Sequence, residues 1–225
     1  VPPMRSLSVM ALLLLASSAH ALKCKPIQEV WTPGPAVAPQ AFVVLEANYQ
    51  QLDRLKTTPP HFLDAAGVPV AATLEPLGPQ AVLRPARPLK GSARLVLPGG
   101  WTSPAPWPVK PASPPPVWEG EPKLIDQDDG SMGRYGPRWS RIIQVAAPGA
   151  ALVQVTLPQR AGPPAVRYLA VLDGTVRLGV HPCAAGVGAR LPAGPQAVTL
   201  RPVAPGGALG EAKTLTIPGP RPAGP

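Results

Sequence analysis

The sequence predicts an all-β protein: two β domains in tandem, joined by a proline-rich linker, with one short helix in the first domain. Proline supplies 36 of the 225 residues, about three times ordinary usage. Each proline removes a backbone donor and clashes with the preceding helical turn, so this density excludes long helices but spares short strands. The second observation is alternation: runs such as "ALVQVTLP" (151–158) place apolar residues at every other position between turn residues. The third is Asp173-Gly174 between two alternating runs, a strong short-range signal of a β-hairpin.

The elements follow in chain order. Residues 4–21, "MRSLSVMALLLLASSAHA", carry a basic residue (Arg5), an apolar run from Val9 to Ala16 and Ala19-His20-Ala21. That is the pattern of a secretory signal peptide. The run is shorter than the roughly 20 residues that span a bilayer. Residues 1–21 are therefore the expected signal region, with Met4 as the true start, cleavage after Ala21 and no transmembrane span thereafter. Cys24 follows Ala21-Leu22-Lys23, and Lys23 is a poor fit to a lipidation signal. The protein is expected to be exported, to the periplasm, the cell surface or the medium.

The first domain is expected over 22–99. In "AFVVLEA" (41–47), Val43 and Leu45 share one face while Phe42 and Val44 share the other, so the strand reads as buried on both. "NYQQLDRLK" places Asn48 and Gln51 in capping-box register and Tyr49, Leu52 and Leu55 on one side. It predicts a short helix stopped by Pro59-Pro60. Strands are expected at 68–76, 80–86 and 92–98.

Residues 28–99 resemble the bacterial Ig-like modules of secreted and cell-surface proteins. Pro85, Pro88, Leu89 and Gly91 carry the pattern found near the last hairpin of such modules, with Arg94 where tyrosine or another apolar residue is usual. The resemblance implies a β-sandwich and marks strand boundaries, not a site.

Residues 100–117 form the expected linker: seven of the eighteen residues from Trp101 to Trp118 are proline, which favours a semi-rigid polyproline II run. Its Pro111-x-x-Pro114 has the form of a recognition motif, with a stiff connector as the simpler reading. Trp101, Trp107 and Trp118 are expected to dock this segment by Trp–Pro packing.

The second domain is expected over 118–218, with 219–225 a disordered tail. Across the Asp173-Gly174 turn, Leu172 should face Thr175, Val171 face Val176 and Leu169 face Leu178. Leu169, Val171, Val176, Leu178 and Val180 then form a core face, with Tyr168 opposite Gly179 and able to cover it. Val153, Val155, Leu157, Val198, Leu200, Leu215 and Ile217 should also point inward. With "PKLID" and "SRIIQVA" this makes about seven strands, and the segment resembles an Ig-like or fibronectin type III-like sandwich.

Chemistry is sparse. In an exported protein, Cys24 and Cys183 read as one disulfide. It would close about 160 residues and contribute up to roughly 5 kcal/mol by chain entropy. A metal site using His181 lacks further ligands. Asp126, Asp128 and Asp129 invite a calcium reading, but position 5 from Asp126 is Gly130 and position 12 is Pro137, which excludes an EF-hand. A looser calcium site and a polar turn remain open. His61 and His181 lie in no nucleophile motif; a hydrolase alternative would need one of them to converge with carboxylates in a cleft, or Asp126/Asp129 or Glu119/Glu121 to act as a glycosidase-like pair. The net charge of +9 comes from singly scattered arginines and lysines, not a basic run, so nucleic acid is not the expected partner.

The sequence thus predicts a non-catalytic binding or structural module of the bacterial envelope, without a cofactor, whose partner is a protein or an envelope polysaccharide. A carbohydrate- or calcium-assisted adhesion module is the alternative. The expected recognition loop comprises Asp126, Asp128, Asp129, Arg134, Tyr135 and Trp139.

Overall fold

The computed structural model describes residues 29–31, 36–46, 49–129, 139–159, 161–180 and 191–220. Cys24, Cys183 and His181 lie outside them, as do the signal-peptide region and most of the expected tail. The described chain is mostly β, with several antiparallel sheets and one short helix.

The N-terminal unit comprises β1 (Glu29–Trp31), β2 (Val43–Glu46), α1 (Tyr49–Thr57), β3 (His61–Leu63), β4 (Pro69–Leu77), β5 (Gln80–Pro85), β6 (Ser92–Val96) and β7 (Trp107–Pro108). Its sheet runs β1-β2-β5-β4-β3-β6-β7. The nine-residue β4 belongs to two partners: Pro69–Ala71 pair with β3, and Ala72–Leu77 pair with β5. The strand therefore changes partner at Ala71/Ala72 and joins the β1-β2-β5 part of the sheet to the β3-β6-β7 part. Val43, Leu45 and Leu83 from one wing share a core with Phe62 and Leu95 from the other.

The helix adds Leu52 and Leu55 to this core, as their spacing predicts. It ends at Thr57, whose hydroxyl donates to the Arg54 carbonyl at 3.0 Å, just before Pro59-Pro60.

The expected linker is in large part paired. Thr102 bridges Val96, Trp107–Pro108 ladder with β6, and Val109 bridges Val37 in parallel. Trp101, Trp107 and Val109 pack on the N-terminal core. Proline fits at 108 because the pairing there uses its carbonyl, which accepts the Val37 N–H at 3.0 Å, and does not require the missing N–H. The span that connects the units is 110–117, held at one end by Lys110 N–H on the Val37 carbonyl (2.9 Å) and at the other by Glu119 N–H on the Ala146 carbonyl (2.8 Å).

The C-terminal unit comprises β8 (Lys123–Asp128), β9 (Trp139–Gln144), β10 (Leu152–Leu157), β11 (Ala165–Ala170), β12 (Thr175–Val180), β13 (Pro195–Val203) and β14 (Lys213–Pro218). They form a four-stranded sheet, β11-β10-β13-β14, and a three-stranded sheet, β12-β9-β8. Val153, Val155, Leu157, Leu169, Val198, Leu200 and Ile217 from the first meet Trp139, Ile143, Val176 and Leu178 from the second. Leu215 packs against the same cluster.

One expectation is corrected here. Asp173 (φ 49°) and Gly174 (φ 70°) form the tight turn, and Leu172 pairs with Thr175 as predicted. The ladder then stops: β11 pairs with β10, while β12 crosses to pair with β9. Leu169, Val176 and Leu178 do reach one core, but from opposite sheets. Tyr168 does not cover Gly179. Gly179 lies opposite Ser140, where a β-carbon would collide with the Trp139 carbonyl oxygen.

The two units share a third apolar cluster. Phe42, Val44 and Val82 of the N-terminal unit pack with Leu152, Tyr168 and Val203 of the C-terminal one. This is why β2 is buried on both faces: Val43 and Leu45 fill the unit's own core, and Phe42 and Val44 fill the seam. Phe42 meets Tyr168 edge-on, ring centroids 4.9 Å apart at 70°, a favoured aromatic geometry. The Arg84 guanidinium lies 4.7 Å from the Phe42 centroid.

Across the seam, Gly207 (φ 86°) approaches so closely that a β-carbon would sit 2.9 Å from Phe42 Cβ. The edge strand β11 is also covered, because the Gln80 side chain takes the place of a neighbouring strand. Gln80 Nε2 donates to the Tyr168 carbonyl at 2.8 Å, and Tyr168 N–H donates to Gln80 Oε1 at 2.9 Å. Burial pushes the Tyr168 phenol above its ordinary pKa, and the hydrogen bond with Gln154 pulls the other way.

Candidate recognition surface

The β8–β9 end of the sandwich holds the loop singled out in the sequence. Asp126 and Asp128 lie two residues apart on the exposed edge strand β8, and Asp126 Oδ1 accepts the Gln127 N–H at 2.8 Å. The register shifts between Leu124 and Asp126, at the exposed Ile125. Arg134 and Tyr135 lie outside the described residues, and Trp139 is buried in the core. Among the described residues no group of three or more His, Cys, Asp or Glu is placed to hold a metal ion.

Asp129 has a different task. Its Oδ1 accepts from Arg141 Nη2 at 2.6 Å, and Arg141 is fully buried. The guanidinium also donates Nε to the Pro218 carbonyl (2.9 Å), Nη1 to Asp128 (3.2 Å) and Ser140 (2.9 Å), and Nη2 to Gly219 (3.0 Å). All five N–H groups of the fork are thereby used. One side chain ties the end of β8, the start of β9 and the end of β14 together. In the sequence Arg141 is one of the singly scattered basic residues, yet the alternation contains the signal: Trp139, Arg141, Ile143 and Val145 are in phase, and all four are buried.

The opposite end of the sandwich carries two adjoining grooves. The larger, about 510 Å³, runs between the connector and the C-terminal unit and is lined by Pro114, Pro115, Val117, Pro148, Gly149 and Pro205, among others. The smaller, about 320 Å³, lies against 145–150, Val171 and Gly174. Glu119, Pro148 and Gly149 line both. Trp118 anchors the connector here: its Nε1 donates to the Glu211 carbonyl at 2.9 Å, and Lys213 Nζ lies 5.6 Å from its ring. Lys213 in turn binds Glu121 Oε1 at 2.6 Å and the Gly120 carbonyl at 3.1 Å.

The remaining candidates do not converge. His61 sits in β3, inside the N-terminal sheet, between Ala71 and Val96. Asp129 pairs with Arg141 and Glu121 with Lys213, so each proposed carboxylate pair has one member held in an ion pair. Trp101 and Trp107 pack on one core and Trp118 and Trp139 in the other, which gives no shared tryptophan platform among these four. The chain matches no family model, and no curated protein is significantly similar to it.

Proposed function

We propose that the chain is an exported, non-catalytic binding or structural module of the bacterial cell envelope. Its two domains, Ig-like and fibronectin type III-like, present one composite surface to a protein or polysaccharide partner. The observation that carries this reading is the seam. Phe42, Val44 and Val82 bury against Leu152, Tyr168 and Val203, and Gln80 satisfies the edge of β11. Such a seam fixes the geometry between two small β units without building a catalytic cleft, as a presenting or spacing element requires. The antiparallel three-plus-four strand order, with the hairpin strands divided between sheets, supports the fibronectin-like assignment. Function on such folds lies in loops and edges rather than in the fold itself.

Two measurements test the proposal. Fractionation of the source cells with N-terminal sequencing should find a chain beginning at Leu22 outside the cytoplasm, and a cytoplasmic chain retaining residues before Leu22 would refute export. Cross-linking in intact cells should join the chain reproducibly to an envelope component. A chain that cross-links to nothing above a mixing control is not a binding module.

A further inference from the structure

We propose that the paired grooves beside the connector are a docking site for an extended segment of a partner polypeptide, one that places an aliphatic or aromatic side chain next to a lysine or arginine. The inference deepens the binding-module reading and rests on it.

Three observations select this occupant. The first is an apolar surface that folding leaves uncovered. Val117 is 76% exposed and Leu172 is 69% exposed, the two most exposed large hydrophobic side chains among the described residues. Val117 lines the larger groove, and Leu172 belongs to the turn that gives Val171 and Gly174 to the smaller one. The larger groove is lined mainly by apolar surface, and exposed apolar surface gathered in a groove marks an interaction site more than isolated residues do.

The second is charge. Glu119 is the one charged residue lining the grooves, it lines both, and its carboxylate has no ion-pair or hydrogen-bond partner among the described residues. An acid shared by a mainly apolar groove and a half-polar one favours a cation beside the apolar part of a ligand and repels phosphate.

The third is the absence of an aromatic platform in the lining. Sugar rings are held by stacking on aromatic faces and by several polar groups. Proline and valine edges instead suit aliphatic and aromatic side chains. Of the two partner classes for this protein, the groove therefore fits polypeptide. The wall is also pre-formed. Pro114, Pro115 and Pro116 have fixed φ, and each proline restricts the residue before it to extended backbone. With both ends of the connector hydrogen-bonded, little ordering is left to oppose binding.

The test is selection of phage-displayed random twelve-residue peptides on the full chain, followed by fluorescence anisotropy of the enriched peptides. The expected consensus holds Lys or Arg beside an aliphatic or aromatic residue. Val117→Asp should weaken the selected peptides at least about tenfold, and Glu119→Gln by about three- to tenfold with a reduced salt dependence. Val117 is exposed, so an unchanged melting temperature shows that its variant still folds. No enrichment, a consensus without a basic residue, or affinity indifferent to Val117→Asp overturns the proposal. If cellular cross-links persist but avoid Val117 and Glu119, the docking site falls while the module reading stands.

Discussion

Replacing Gln80 tests whether one side chain acts as the missing neighbour of β11. Gln80 is 1% exposed and makes two hydrogen bonds to the backbone of one residue, Tyr168. Gln80→Leu keeps much of the volume and removes both. Each lost neutral bond is worth about 0.5–1.5 kcal/mol, and each buried backbone group left without a partner costs about 1–3 kcal/mol, two views of one loss. The expected destabilisation is about 2–4 kcal/mol, large against the roughly 5–15 kcal/mol of a typical domain.

Gln80→Glu sharpens the test. A neutral carboxylic acid offers one donor and one acceptor and reproduces both bonds; a carboxylate only accepts, and would face the Tyr168 carbonyl oxygen. Burial and that carbonyl both raise the introduced group's folded pKa above its unfolded value of about 4.3. Its contribution is therefore fully present below about pH 4 and is lost as pH rises through the folded pKa. Urea unfolding at pH 4 and pH 8 should show Gln80→Glu close to the parent at the lower pH and well below it at the higher. Gln80→Leu should lose a similar amount at both. A pH-independent Gln80→Glu penalty, or a Gln80→Leu loss under about 1 kcal/mol, which lies below the range expected from these bonds, would refute the clamp.

Other outcomes follow from the same geometry. Arg141→Leu removes the ion pair to Asp129 and the donor shared by four backbone carbonyls, and should cost about 3–5 kcal/mol in chemical denaturation; Arg141→Lys, with fewer donors, should recover part of it. Asp64 has its pKa held down, chiefly by the Val68 N–H and also by Ala66 N–H and Arg87. Its stabilising effect is present above its unfolded pKa and lost as pH falls through the folded one, so the stability gap between parent and Asp64→Ala should narrow under acid titration. Excess calcium should leave the melting temperature unchanged, since Asp129 is held by Arg141; a clear rise would restore the calcium reading of Asp126, Asp128 and Asp129. Intact mass after alkylation, with and without reductant, should differ by two alkyl groups if Cys24 and Cys183 are joined.

The elements were largely legible because short-range rules govern them. Two-residue periodicity placed Val153, Val155 and Leu157 inward, and helical spacing placed Leu52 and Leu55. Partnership was not legible. The Asp173-Gly174 turn sets only the Leu172–Thr175 contact, and the next residues choose their sheet by what else is available: Ile142 and Ile143 for β12, and β10 for β11. The seam was half visible, since the apolar second face of β2 demanded a cover. Nothing local identified Tyr168 and Val203 as that cover, because each sits on a strand whose other face already fills a core. Arg141 was legible from phase alone, but a charge at an inward position reads as an exception until its five acceptors are seen.

The short connector has a consequence for any opening of the seam. Seven residues, 111–117, separate the hydrogen-bonded anchors at Lys110 and the buried Trp118, and an extended polyproline stretch rises about 3.1 Å per residue. Undocked units therefore remain within about 25 Å of each other. Each surface then meets the other at an effective concentration in the millimolar range. Seam contacts too weak to hold two separate proteins together are sufficient here, and an opening event ends in reclosure rather than separation.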